Sequence, residues 1–138
     1  MNEQTLKLLE KALLASPADW ETRAHLIDEH LAAGRAQRAA ELLQAAPEIP
    51  DTETDALRKA KVKMETDLPG AQLTLEKILS RNKACAQAYF LLAKIFQKRG
   101  MREEARKKYG AATVIDESLH DAALEAWLEA GSTPTPAE

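Results

Sequence analysis

The sequence contains few of the residues on which many small folds depend. A single cysteine, Cys85, among 138 residues excludes an internal disulfide and a zinc site built from cysteines. Aromatic residues make up 4% of the chain, and there are 5 glycines and 6 prolines. Alanine, leucine and long charged residues dominate instead, a composition typical of an all-helical protein. With 45% hydrophobic and 30% charged residues, the chain is expected to fold as one domain around its own core.

A long uninterrupted apolar segment is also missing. The N-terminal stretch has apolar residues, but Glu10 and Lys11 interrupt them. We therefore expect neither a signal peptide nor a membrane span, and predict a cytoplasmic protein.

The residue patterns of common enzymes are not found. A zinc hydrolase needs two histidines four residues apart on a helix, whereas His25 and His30 are five apart and His120 lies far along the chain. His25 and Glu29 are four residues apart and could form part of a metal site, but an exposed polar pair beside His30 is the favoured interpretation. There is no glycine-rich phosphate loop and no arrangement of cysteine with histidine. We predict a protein without catalytic residues, metal or cofactor.

Charge is distributed unevenly, although the net charge is only -3. Residues 1–57 carry 5 lysines and arginines against 11 aspartates and glutamates, residues 58–109 carry 14 against 5, and residues 110–138 carry none against 6. The basic middle suits phosphate contacts, but base stacking also needs exposed aromatic rings, and only Phe90 is a candidate. A sequence pI near 5.7 argues further against nucleic acid. A solvated basic face or an acidic protein partner is favoured over nucleic acid.

The clearest pattern is a recurrence of small and large residues about every 34 positions. Gly34 and Gly100 lie 66 residues apart, each where a helix should end, because glycine accepts the positive φ that a helix C-terminus favours. Each separates two amphipathic helices, and the second helix of each pair shares one register. The recurring positions are Thr5, Leu9 and Ala12; Ala39, Leu43 and Ala46; Ala71, Leu75 and Ile78; and Ala105, Tyr109 and Ala112.

This pattern resembles the tetratricopeptide repeat, a helix-turn-helix unit of 34 residues. The resemblance implies an all-α, right-handed α-solenoid over residues 1–130. Asp116 or Ser118 is expected to cap its last helix, which covers the final repeat. Residues 131–138 are expected to be a flexible tail or the start of a linker. The predicted parts are a half repeat (3–17), repeats 19–46, 52–82 and 84–117, and a capping helix (118–130).

Three features depart from a regular repeat. Arg23 stands where the family usually has a large aromatic residue, and Trp20, one turn earlier, is expected to fill the space. Residues 47–51 contain two prolines and replace the usual tight turn between repeats. Residues 67–70 are predicted to form the turn inside the second repeat.

In this family the first helices of successive repeats line a concave groove that binds peptides, so the resemblance implies a protein–protein interaction scaffold. Phe90, Lys94 and Lys98 would form one ridge, an aromatic ring and two ammonium groups that suit an acidic segment. In the alternative interpretation, Phe90 packs against the capping helix and the lysines only solvate it. The predicted groove residues are Gln87, Phe90, Lys94, Gln97, Lys98, Lys63, Asp28 and Leu31, and the small residues Ala24, Ala56 and Ala60 would face the same groove.

Some members of the family hold a chaperone's C-terminal carboxylate with a clamp of lysine, asparagine and arginine. That clamp is absent here, because the positions that match it are Ala24, Asp28, Leu57, Gln87 and Leu91.

Two other functions stay open. The domain would be an N-terminal adaptor of a longer protein, for example an ATPase, if residues 131–138 begin a linker. Alternatively, copies would form homo-oligomers through their acidic ends and basic middles.

Overall fold

A computed structural model describes residues 2–130, and in this range the chain is all α-helical without strands. The all-α fold class is therefore confirmed for the described residues. None of the helices in this range is both long and apolar enough to cross a membrane. The helices are α1 (Glu3–Ala15), α2 (Trp20–Ala32), α3 (Ala36–Gln44), α4 (Glu53–Thr66), α5 (Leu68–Arg81), α6 (Ala86–Lys98), α7 (Arg102–Ile115) and α8 (Ala122–Ala130).

The chain divides into two compact units, with the division in the first turn of α5. Within the described residues, unit 1 comprises residues 2–71 and unit 2 comprises residues 72–130. In unit 1, α1 packs against α2, α2 against α3, and α3 against α4. In unit 2, α6 packs against α7 and α7 against α8. Each unit thus contains one helical hairpin of neighbouring helices, α2–α3 in unit 1 and α6–α7 in unit 2.

The same turn closes both hairpins. The φ angle is 77° at Gly34, after α2, and 72° at Gly100, after α6. In each turn, the glycine amide donates to the carbonyl three residues earlier, at 3.1 and 3.0 Å respectively. The next amide donates to the carbonyl five residues earlier, at 2.7 and 2.8 Å. This pair of bonds is the Schellman motif, which satisfies carbonyls at a helix end. The predicted roles of both glycines are confirmed.

Gly100→Ala is expected to lower the free energy of unfolding by about 1 kcal/mol, because alanine would be held at a left-handed φ. Gly110 lies inside α7, with nothing within 4 Å of an added Cβ, and is the matched control. Gly110→Ala should raise the free energy of unfolding by up to about 1 kcal/mol, since alanine is the better helix former. Urea unfolding measures both variants, and a change of the same sign in both would contradict this account.

The core of unit 1 is built on α2 and α3 and extends to α1 and α4. Leu26, Ile27 and Ala39 have no exposed surface. The buried members of this core are Leu13, Leu26, Ile27, Ala39, Ala40, Leu42, Leu43 and Val62, and Leu6, Leu9, Trp20, Leu31 and Ile49 pack against them.

The residues at the recurring positions are buried in α3, α5 and α7 but not in α1. In α1, Thr5 and Ala12 are exposed, Leu9 is half-buried, and Leu13 is the buried residue. Because α1 packs against α2, it buries the face that α2 covers, and that face carries Leu13. Ala46 is half-buried just beyond the end of α3. The members that are buried as predicted are Ala39, Leu43, Ala71, Leu75, Ile78, Ala105, Tyr109 and Ala112.

The turn between α4 and α5 is shorter than the predicted turn at residues 67–70. Asp67 alone separates the two helices. The Asp67 carboxylate accepts the amide of Gly70 at 3.2 Å, so the residue that separates the two helices also caps α5. Residues 47–51, by contrast, form the irregular connection that their prolines predicted.

The last helix begins at Ala122, four residues later than predicted. Its cap is Asp121, whose carboxylate accepts the amide of Leu124 at 2.9 Å. The carboxylate of Asp116 instead accepts the amide and the hydroxyl of Ser118, at 3.0 and 2.6 Å. Asp116 therefore holds a turn before the helix, and the prediction of Asp116 or Ser118 as the cap is wrong.

A buried arginine lies where a regular repeat was predicted to have an aromatic residue. Arg23 is 5% exposed, and its guanidinium donates to the carbonyl oxygens of Leu42 at 2.8 Å and Pro17 at 2.9 Å. Leu42 lies in the last turn of α3, where carbonyls lack partners within the helix. A positive charge at a helix C-terminus is also favoured by the helix dipole. Arg23 thus satisfies backbone acceptors, while Trp20 packs at the edge of the core.

Candidate binding surfaces

The predicted ridge lies on α6, and part of it is occupied within unit 2. Phe90 is 9% exposed, and its ring centroid lies 6.1 Å from that of Tyr109 on α7. The Lys94 Nζ lies 4.8 Å from the centroid of the Phe90 ring and 3.3 Å from Oδ2 of Asp121. Binding of a partner at this ridge stays a prediction. The other predicted residues of α6 are exposed or half-buried: Gln87, Gln97 and Lys98.

A group of polar contacts joins Tyr109 to the start of α8. The Tyr109 hydroxyl donates to Glu125 and accepts the amide of Asp121 at 3.3 Å. Burial raises the pKa of Tyr109, and the hydrogen bond to Glu125 raises it further. The backbone amide of Leu124 lowers the pKa of Asp121, and so does Lys94. These contacts fix the last helix on the α6–α7 hairpin.

Asp121 is expected to stabilise unit 2 only in its ionised form. Because its folded pKa is lowered from 3.8, this stabilisation is present above the unfolded pKa and is lost as the pH falls through the folded pKa. Stability to urea should therefore begin to fall below about pH 5 and continue to fall until the pH is below the folded pKa. Asp121→Asn, which keeps a capping side chain, should reduce this dependence. An unchanged slope of stability against pH in the variant would contradict the assignment.

Unit 1 contains an open cavity of about 370 Å³ between α2 and α4. On α2, Trp20, Ala24 and Asp28 are spaced four residues apart and therefore share one helix face. On α4, the lining comes from the first two turns. The residues that line the cavity are Trp20, Glu21, Ala24, His25, Asp28, Thr54, Asp55 and Arg58.

A network of hydrogen bonds connects the two walls of the cavity. Arg58 donates to both carboxylate oxygens of Asp28, at 2.8 and 3.1 Å, and also to Asp55. Asp55 is 8% exposed and also accepts from the Trp20 indole at 3.0 Å and the Thr52 hydroxyl at 2.7 Å. The hydrogen bonds to Asp28 raise the pKa of Arg58, although its partial burial opposes this. The guanidinium therefore keeps its charge.

The cavity carries more negative than positive charge. Glu21, Asp28 and Asp55 contribute three carboxylates, against the single guanidinium of Arg58. The Arg58 side chain is 16% exposed, whereas that of Asp28 is 51% exposed. Glu21 is also exposed. The negative groups are thus the more accessible ones to a partner.

Of the cavity residues, the sequence predicted Ala24 and Asp28 to face a binding groove. Of the predicted groove residues in unit 1, Asp28 lines the cavity, Leu31 packs against the core, and Lys63 is half-buried farther along α4. The sequence analysis did not identify Asp55 and Arg58 as residues of a site. Their spacing was a usable signal, because two opposite charges three residues apart lie side by side on a helix.

Within residues 2–130, no group of three or more histidine, cysteine, aspartate or glutamate side chains could hold a metal ion. The most buried histidine, His30, has a structural place in unit 1. Its Nδ1 accepts from Nε of Arg35 at 2.8 Å. Its Nε2 lies 3.4 Å from Oε1 of Glu10 but forms no hydrogen bond within the described chain.

Comparison with known proteins does not assign the chain to a family. No protein-family profile matches the sequence, and no curated protein matches it. The function is therefore argued from the surfaces described above.

Proposed function

We propose that this chain is a non-catalytic protein-interaction domain, built as a right-handed α-solenoid of tetratricopeptide-like repeats. Two features support the repeat architecture: the identical turns at Gly34 and Gly100, and the register of buried residues shared by α3, α5 and α7. The cytoplasmic location stays a prediction from the sequence.

The observation that carries the binding function is the open cavity between α2 and α4. The cavity is open to solvent and about 370 Å³ in volume, which suits a side chain of a protein partner better than an enclosed small molecule. Trp20 is half-buried on its wall, and tryptophan is enriched among residues that dominate binding energies. Among the lining residues there is no cysteine or serine nucleophile, and Asp55 is already engaged by three donors. This composition favours binding over catalysis.

Selection from a library of displayed random peptides tests the proposal. The full chain is expected to enrich peptides with a shared motif, and a selected peptide should shift the backbone NMR signals of α2 and α4. Failure to enrich any motif over repeated rounds would overturn the interaction function.

Two charge reversals at exposed positions locate the binding surface. Glu21→Arg alters the rim of the cavity, and Lys98→Glu alters the predicted ridge on α6. We expect selected peptides to lose affinity for the first variant and to keep it for the second. The reverse result would place the site on α6 and leave the interaction function intact.

A second candidate function is self-assembly, favoured by two exposed leucines of α1. Leu8 is 63% exposed and Leu14 is 81% exposed. Sedimentation equilibrium should then show a dimer or larger species that Leu8→Glu dissociates. A monomer at all concentrations would exclude this candidate. The adaptor alternative depends on residues 131–138, which lie outside the described residues.

A further inference from the structure

We infer that the cavity between α2 and α4 takes a lysine or arginine side chain from a basic segment of a partner protein. This inference rests on the proposed interaction function and adds the chemistry of the partner. It depends on three properties of the cavity: a tryptophan ring, accessible carboxylates and a covered guanidinium.

Trp20 brings a half-buried aromatic ring to the wall of the cavity. Its indole N–H is already used, because it donates to Asp55 at 3.0 Å, so what the side chain can offer a partner is the ring. The face of a tryptophan ring attracts ammonium and guanidinium groups more strongly than other aromatic side chains do. Unit 2 contains the same kind of contact, because Arg102 lies 4.6 Å from the centroid of the Trp127 ring.

The accessible charges beside this ring are negative. Asp28 accepts two hydrogen bonds from Arg58, and two carboxylate oxygens can accept about four in all. Half of its acceptor capacity is therefore left for a second cation. Glu21 adds an exposed carboxylate one residue after Trp20.

The guanidinium of Arg58 does not offer an anion an equivalent site. Its side chain is 16% exposed, and its donors are shared between Asp28 and Asp55. An acidic side chain entering the cavity would also meet Glu21 and Asp28, and like charges repel. The acidic partner that suits the lysines of α6 therefore does not suit this cavity.

Three labelled peptides test the inference by fluorescence anisotropy with the full chain. The basic probe carries lysines and arginines among alanines and serines; the acidic and neutral probes carry glutamate or glutamine at those positions. We expect the basic probe to bind at least about tenfold more tightly than either of the others, and to bind more weakly as salt is added. In a Trp127→Phe background, it should also change the fluorescence of Trp20.

Substitutions that remove charge without changing shape locate the site. Glu21→Gln/Asp28→Asn should weaken binding of the basic probe about tenfold, since each exposed ion pair contributes roughly threefold. Glu3→Gln/Glu48→Gln removes two exposed carboxylates of the same unit that do not line the cavity, and should change binding less than about twofold. If Asp28→Asn disturbs the fold, as judged by urea unfolding, Glu21→Gln alone should still weaken binding about threefold.

Each contrary outcome has a distinct meaning. Equal binding of the basic probe to wild type and to Glu21→Gln/Asp28→Asn would overturn the cavity as its site. Preference for the acidic probe, or for selected peptides without basic residues, would overturn the partner chemistry but not the interaction function. If the free chain self-associates and the cavity variant dissociates it, the occupant is a second copy, which overturns the inference of a separate partner. If no probe binds and no peptide is selected, both proposals fail.

Discussion

Replacing Arg23 with alanine is expected to lower the free energy of unfolding of unit 1 by about 3 kcal/mol. The substitution removes two hydrogen bonds from a charged donor and leaves the buried carbonyl of Leu42 without its partner. It also empties the space of a long side chain that is 95% covered, since Arg23 is 5% exposed. Urea unfolding followed by Trp20 fluorescence, in a Trp127→Phe background, reports on unit 1 alone.

Two variants separate the causes of this effect. Arg23→Met keeps most of the apolar stem and loses only the hydrogen bonds, so its cost should be smaller, about 2 kcal/mol. Arg38→Ala removes an arginine whose side chain is 44% exposed, and should cost less than about 1 kcal/mol. If Arg23→Ala were no more harmful than Arg38→Ala, water would be replacing the guanidinium, and the assigned role would be wrong.

Leu92→Ala is expected to destabilise unit 2 by about 3 kcal/mol, the typical cost of truncating a fully buried leucine. Leu92 lies in the middle of α6 and is 1% exposed. The cost combines lost burial of the removed atoms with the cavity that remains. Urea unfolding followed by Trp127 fluorescence, in a Trp20→Phe background, measures it.

The same chemical change on the surface is the control for Leu92→Ala. Leu73 is 54% exposed on α5, in the same unit, so Leu73→Ala should cost less than about 0.5 kcal/mol. A comparable loss from both substitutions would show that the packing of α6 does not stabilise unit 2.

The parts of the fold that the sequence predicted well are those that neighbouring residues decide. Gly34 and Gly100 end helices because only a residue without a side chain takes positive φ at low cost. Asp19 caps α2 in the same local way, because its carboxylate accepts the amide of Thr22 at 3.3 Å. The buried positions shared by α3, α5 and α7 followed from the recurrence of small and large residues about every 34 positions.

Contacts between residues far apart in the sequence could not be predicted in this way. Trp20 and Asp55 are 35 residues apart, and nothing local to either residue shows that the indole donates to that carboxylate. Likewise, Arg23 lies where the repeat pattern predicted an aromatic residue, and its role depends on a hydrogen bond to the carbonyl of Leu42 in the last turn of α3. The cavity is formed by such contacts, so the sequence identified Asp28 but neither the tryptophan nor the arginine beside it.

The tight glycine turns also bear on how quickly the protein reaches its native state. Three residues separate α2 from α3, and three separate α6 from α7, so the helices that pack together are neighbours along the chain. Bringing them together closes only a short loop and costs little chain entropy. Proteins dominated by such local contacts fold in microseconds to milliseconds. Each hairpin is therefore expected to form early, before the longer-range bonds of Trp20 and Arg58 assemble the cavity.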